Sequence, residues 1–164
     1  MTFIVDGTNG LTYPNSTVQA SAGVVLQVVN ATYSTFTSST SATFANTGLA
    51  ASITPKFSTS KILIIVDANG VSGYPATSSV GFQITRGASV ILNYESIAAY
   101  LSGYTGNIAI GSSSATYLDS PATTSSTTYN LQFARTLGSG TVYINNYGFA
   151  GGTISTITLM EIAG

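Results

Sequence analysis

Five consecutive apolar residues, Ile62-Leu63-Ile64-Ile65-Val66, lie between Lys61 and Asp67 and constrain this chain more than any other stretch. Three of the five are Ile and one is Val, and β-branched side chains fit a pleated surface better than a helix. As a strand, the run sends Ile62, Ile64 and Val66 to one face and Leu63 and Ile65 to the other. A strand that is apolar on both faces must be covered on both. The remaining sequence has to supply both covers.

It offers only strands. Val24, Leu26 and Val28 alternate with Val25, Gln27 and Val29. Phe82, Ile84 and Arg86 alternate with Gln83 and Thr85, Gly87-Ala88 reads as a turn, and Val90, Leu92 and Tyr94 alternate beyond it, which is a hairpin pattern. Tyr129, Leu131 and Phe133 alternate. In the last strand Ile157 and Leu159 take one face, and Met160 and Ile162 the other. Turn chemistry is read at Asn46-Thr47-Gly48, Asn69-Gly70 and Ser72-Gly73-Tyr74-Pro75, and a Gly/Ser-rich loop over residues 100–114. No window keeps a helical period with caps, and no repeat of solenoid or propeller length is present. Nine or ten short strands predict an all-β chain: a single antiparallel β-sandwich, of which the jelly-roll type is the most economical. The boundaries are an N-terminal arm over residues 1–22 and a sandwich domain over residues 23–164.

Chemistry is scarce. The 164 residues carry only four basic and five acidic side chains, 5% in all, with a net charge of −1 and a mean hydropathy of +0.35. A surface so poor in charge fits one covered by partner subunits. His and Cys are absent, so there is no imidazole shuttle, thiolate or disulfide. The scattered acids offer no metal cluster, and neither a metal nor a cofactor is expected. No catalytic residue is assigned. A paired-carboxylate hydrolase built from Glu95, Asp119 and Glu161 is the only enzymatic arrangement left open, and ordinary roles as turn caps and strand-edge charges compete with it. Asp67-x-Asn69-Gly70 and Asp6-Gly7-Thr8-Asn9-Gly10 echo the start of a calcium loop but lack its closing Glu, so Asx-type turns are the better reading. Arg86 and Glu95 are expected to pair across the hairpin. Four scattered cations make no nucleic-acid face. No apolar run is long enough to span a bilayer, and no signal peptide is visible.

Two groups of aromatic and apolar residues remain. Phe3, Ile4, Val5, Leu11 and Tyr13 would make a free arm sticky, so the arm is expected to dock on something. The chain has ten Tyr and no Trp. Tyr100, Tyr104, Tyr147 and Phe149 fall in expected loops, where a flat ring with a polar tip suits recognition of a surface or a glycan. The competing role is to stack on Gly-rich loops and seal the sandwich.

Residues Asp6 to Gln19 resemble a segment found near the start of tailed-bacteriophage fibre and appendage proteins, of the type Gly-Leu-Thr-Phe-Pro-Asp-Gly-Thr-x-Gln. The body is similar to small phage surface domains through Val25 to Val29, Thr47-Gly48-Leu49, Ser60 to Ile64, Arg86-Gly87, Tyr117-Leu118-Asp119-Ser120-Pro121 and Thr156 to Ile162. The resemblance implies a homotrimeric, β-rich, non-enzymatic virion protein, made in the host bacterial cytoplasm and carried on the particle. Its implied role is head decoration, cement or head fibre; the alternative is a tail-fibre or receptor-binding tip that recognises host surface glycan. The implied partners are copies of itself, other capsid or tail proteins, and a host glycan on the alternative reading, with neither nucleic acid nor membrane insertion. With the trimer added, Leu63, Ile65, Met160 and Ile162 are expected at the subunit interface. The arm is expected on the virion, with the loop aromatics facing outward.

Overall fold

A computed structural model describes residues 4–6, 10–12, 18–19, 23–146 and 152–164, with only the backbone for those before residue 23. The described residues are strands and their connections, without a helix. Three short strands, β1 (Ile4–Asp6), β2 (Gly10–Thr12) and β3 (Val18–Gln19), form an antiparallel sheet of their own. The remaining strands are β4 (Val25–Tyr33), β5 (Thr37–Ser39), β6 (Ala45–Ile53), β7 (Lys61–Tyr74), β8 (Ser79–Arg86), β9 (Ser89–Ala98), β10 (Ile108–Asp119), β11 (Thr127–Leu137), β12 (Thr141–Ile144) and β13 (Ser155–Ile162).

They build two antiparallel sheets around one core. The larger has β7 near its centre. One edge of β7 pairs with β10; the other is shared by β13 over Lys61–Asp67 and β12 over Ser72–Tyr74. β4 lies outside β13, and β5 outside β12. The smaller sheet runs β6-β11-β8-β9. Setting aside β5 and β12, the pairs are nested: β4 with β13, β6 with β11, β7 with β10 and β8 with β9. This is the pairing of one long antiparallel ribbon folded over on itself.

The anchor run behaves as its alternation dictates. Ile62, Ile64, Val66 and Ala68 are buried without residual exposure, against Ile157 and Leu159 of β13 and against Phe82, Ile84, Tyr129, Leu131 and Leu49 of the smaller sheet. Leu63 and Ile65 are half-buried on the opposite face.

Several expected turns are strand. Asn46-Thr47-Gly48 lies within β6, where the ladder to β11 slips between Asn130 and Gln132. Thr47 is buried, its hydroxyl donating to the carbonyl of Leu131 at 3.0 Å and accepting from the N–H of Leu49 at 3.1 Å. Gly48 has φ +104°, and a Cβ there would run into the ring of Tyr33. The turn chemistry thus makes a bulge instead of reversing the chain. Asn69-Gly70 likewise falls inside β7, where that strand changes partner from β13 to β12. The carbonyls of Asn69 and Gly70 accept from the N–H groups of Asn145 and Asn146 at 2.8 and 3.0 Å. Opposite, β10 slips around Gly111, at φ +86°. The loop expected over residues 100–114 is shorter, because Ile108–Asp119 pairs along nearly the whole of β7.

Candidate functional site

The outward face of the larger sheet can be read rung by rung, since directly opposed residues in a ladder share a face. One rung is Val28–Met160–Leu63–Leu118, apolar across four strands. The rung nearer the end where residue 23 enters is Val25–Ile162–Lys61. On the other side come Asn30–Thr158–Ile65–Thr116 and then Thr32–Thr156–Asp67–Ser114. The face therefore grades from apolar at one end to hydrogen-bonded polar along its length. Asn30 Nδ2 donates to Thr158 Oγ1 at 2.9 Å, and the Ser114 hydroxyl donates to Asp67.

All four residues expected at a subunit interface, Leu63, Ile65, Met160 and Ile162, lie on this one face, in adjacent rungs and half-buried. Three further members were not singled out from sequence: Val25, Val28 and Leu118, which are 49, 55 and 48% exposed. The alternation of Val24 to Val29 set Val25 and Val28 on opposite faces; the slip in the ladder between Glu161 and Ile162 brings both to this one. The signal for Leu118 lay in its place between Tyr117, which packs inward, and the buried Asp119.

Directly behind the apolar rungs, on the inward side, lies the row Gln27–Glu161–Ile62–Asp119. Asp119 is buried and accepts both contacts from Arg86 Nη1, at 3.0 and 2.9 Å, and the Tyr129 hydroxyl at 2.7 Å. Burial, then the hydrogen bond to Asp119, hold the Tyr129 phenol well above its ordinary range. This cluster ties β10 of one sheet to β8 and β11 of the other. Arg86 thus pairs with Asp119 and not with Glu95. Register is the reason: Arg86 opposes Ser89, while Glu95 opposes Phe82 and turns its Oε1 to the N–H groups of Ser96 and Ile97.

Glu161 has no exposed surface. Its Oε2 accepts from Gln27 Nε2 at 2.6 Å and its Oε1 from the N–H of Lys56 at 2.7 Å. Asp119 and Glu161 are accordingly an ion-pair anchor and a buried charge held by uncharged donors, not a turn cap and a strand-edge charge. Both are shielded from solvent, and each is engaged by its own donors. Among the described residues no three acidic side chains gather in a way that could hold a metal. Asp67 lies within β7 and not in a loop.

Tyr100 and Tyr104 are 38 and 50% exposed in the 99–107 connection, with the Tyr104 ring against Gly106. That connection bonds to the turn after β7, through Ala76 N–H to Gly106 O at 2.8 Å and Leu101 N–H to Ala76 O at 2.7 Å. It therefore sits at the opposite end of β7 from Gly23, whose N–H bonds to Ala163 O. Tyr147 and Phe149 lie outside the described residues, as do Phe3 and Tyr13 of the arm; Ile4, Val5 and Leu11 fall in β1 and β2.

No family model and no curated protein matches the chain. Among solved structures it is similar to the VP2 subviral particle of infectious bursal disease virus, at 11% identity and a TM-score of 0.44. The likeness covers 98% of this chain and 49% of that one, so this chain spans about half its length. At that identity and score it carries no argument about function.

Proposed function

We propose that this chain is a structural subunit of a tailed-bacteriophage virion: a homotrimeric head-decoration, cement or head-fibre protein that self-associates through the outward face of its larger sheet. The observation that carries the reading is the in-register apolar rung Val28–Met160–Leu63–Leu118, left partly open in the single chain. Fully covering a Leu or Met side chain is worth about 1.5–3 kcal/mol, so one such rung in each of three copies is a substantial drive. The scarcity of charge supports the same reading, as does the resemblance carried by the Val25–Val29, Ser60–Ile64 and Thr156–Ile162 segments, which form this face. The nested strand pairing supports a jelly roll. Residues 1–22 are the docking arm, with Phe3, Ile4, Val5, Leu11 and Tyr13 as its apolar contacts.

Sedimentation equilibrium of the whole chain tests the assembly half, and a single-chain mass at tens of micromolar would sink it. Removing residues 1–22 and mixing the product with capsids that lack the protein tests the arm; retained binding rejects it. The second reading, a tail-fibre or receptor-binding tip for host glycan, is favoured by the exposed Tyr100 and Tyr104 at the end remote from Gly23. Cell or glycan binding that survives loss of the arm and disappears in Tyr100→Ala with Tyr104→Ala would decide for it.

A further inference from the structure

Among the described residues, Glu161 combines complete burial, an ionisable group and no neighbouring counter-ion. Its neighbours come from β4, the 54–60 connection, β7 and β10. From β4 comes Gln27, whose Nε2 donates both to Glu161 Oε2 at 2.6 Å and to the carbonyl of Thr54 at 2.7 Å. From the 54–60 connection comes the backbone N–H of Lys56 at 2.7 Å, while the Lys56 ammonium turns away to the carbonyl of Leu26 at 3.4 Å. From β7 comes Ile62, with Lys61 exposed and facing outward beside Ile162. Beyond Ile62 lies Asp119 of β10, engaged by Arg86 of β8 and Tyr129 of β11. Ser60 and the N–H of Phe57, from the same connection, also favour the charged form. One carboxylate thus joins β13, β4 and the connection between β6 and β7 through uncharged donors.

Such an arrangement depends on the ionised form. A protonated carboxyl would place an O–H where two donors already point, and at least one would lose its acceptor. The consequence reaches the outer surface, since Glu161 lies between Met160 and Ile162 in sequence, and Gln27 directly precedes Val28. Those three neighbours belong to the apolar rungs.

We propose that Glu161 is an acid-sensitive latch behind the assembly face: ionised, it holds β4, β13 and the 54–60 connection in register, and its protonation releases the apolar end of that face. The coupling to assembly rests on the self-association proposed above. Burial pushes the Glu161 carboxyl up, but Gln27, Ser60 and the N–H groups of Lys56 and Phe57 outweigh it and hold it below its reference value of 4.5. A folded-state value below the unfolded one means that the stabilisation is present above about 4.5 and is lost as pH falls through the folded value.

The test follows three signals on the whole chain from pH 7 to 2.5: the Glu161 side-chain carbon shift by NMR, hydrogen exchange at the Lys56 N–H, and association by sedimentation. Lys56 protection and association are expected to fall together with Glu161 protonation. Gln27→Met removes one donor and is expected to move that transition up by about one pH unit, a tenfold change in proton affinity. Glu161→Gln is expected to flatten it. A Gln27→Met transition at the wild-type pH overturns the latch, as does an acid profile unchanged in Glu161→Gln, which would point to Asp119. If Glu161→Gln does not fold, Gln27→Met alone decides. A chain that is single at neutral pH overturns the coupling to assembly, and the carbon shift and Lys56 exchange then judge the latch by itself.

Discussion

The two outward faces of this sandwich are built from the same kind of antiparallel ladder and solve the shortage of charge in opposite ways. On the smaller sheet a rung of side-chain amides, Asn46–Gln132–Gln83–Asn93, crosses all four strands. Gln83 Nε2 donates to Gln132 Oε1 at 2.6 Å, and Gln132 Nε2 to Asn46 Oδ1 at 2.8 Å. The adjoining Asn130 donates to Thr85, and Ser52 bonds Thr128. That face satisfies itself and still offers water further donors and acceptors. On the larger sheet the rung Val28–Met160–Leu63–Leu118 can be satisfied only by apolar contact from outside. A face without charge is therefore not in itself a sticky face; whether its own rungs can close on themselves decides.

Mutations can break or sharpen this contrast. The largest effect is expected from Arg86→Met, which strands the buried Asp119 and unpins the sheets that hold the faces back to back. Chemical denaturation should show a loss of about 3 kcal/mol or more. Next is Leu63→Arg at the centre of the apolar rung, expected to weaken self-association roughly a hundredfold or more in sedimentation while the circular dichroism stays that of a β protein. Gln132→Ala, at the centre of the amide rung, should cost about 1 kcal/mol in unfolding and leave the association constant unchanged. If it weakens association as Leu63→Arg does, the contrast between the faces fails. The smallest effect belongs to Asn30→Ala on the polar rung beside the apolar one, about 0.5 kcal/mol, with association shifted less than threefold.

The sequence made the alternation legible and left the pairing hidden. Ile62 to Val66 declared their two faces because the period of a strand is fixed by its backbone. For the same reason Leu63 fell with Ile65, and Met160 with Ile162, before any register was known; it took the trimer implied by the resemblance to set the two pairs on one face. Val28 and Leu118 completed the rung only once β4 and β10 had been placed beside β13 and β7. Asn46-Thr47-Gly48 and Asn69-Gly70 read as turns because local chemistry specifies a positive φ and not what the chain does next. The ladders on either side turned both into kinks within strands. The partner of Arg86 was invisible for a related reason. Glu95 lies closer in sequence, but Asp119 arrives from the other sheet, and no local rule reaches across a core. Glu161 looked like an edge charge because nothing in its neighbours announces donors from Gln27 and from the Lys56 backbone.

The nested pairing sets an order of events. β13 is inserted between β4 and β7, so those two strands are joined by one that lies about 80 residues or more beyond either. Contacts of such long range form slowly, because their loop-closure cost comes before their reward. Until β13 is in place, Val28 and Leu63 have no Met160 between them and only the Leu63–Leu118 half of the rung can form. The surface proposed to join copies is thus complete only when folding is, and before that the chain's open strand edges and uncovered core offer a different, unspecific stickiness.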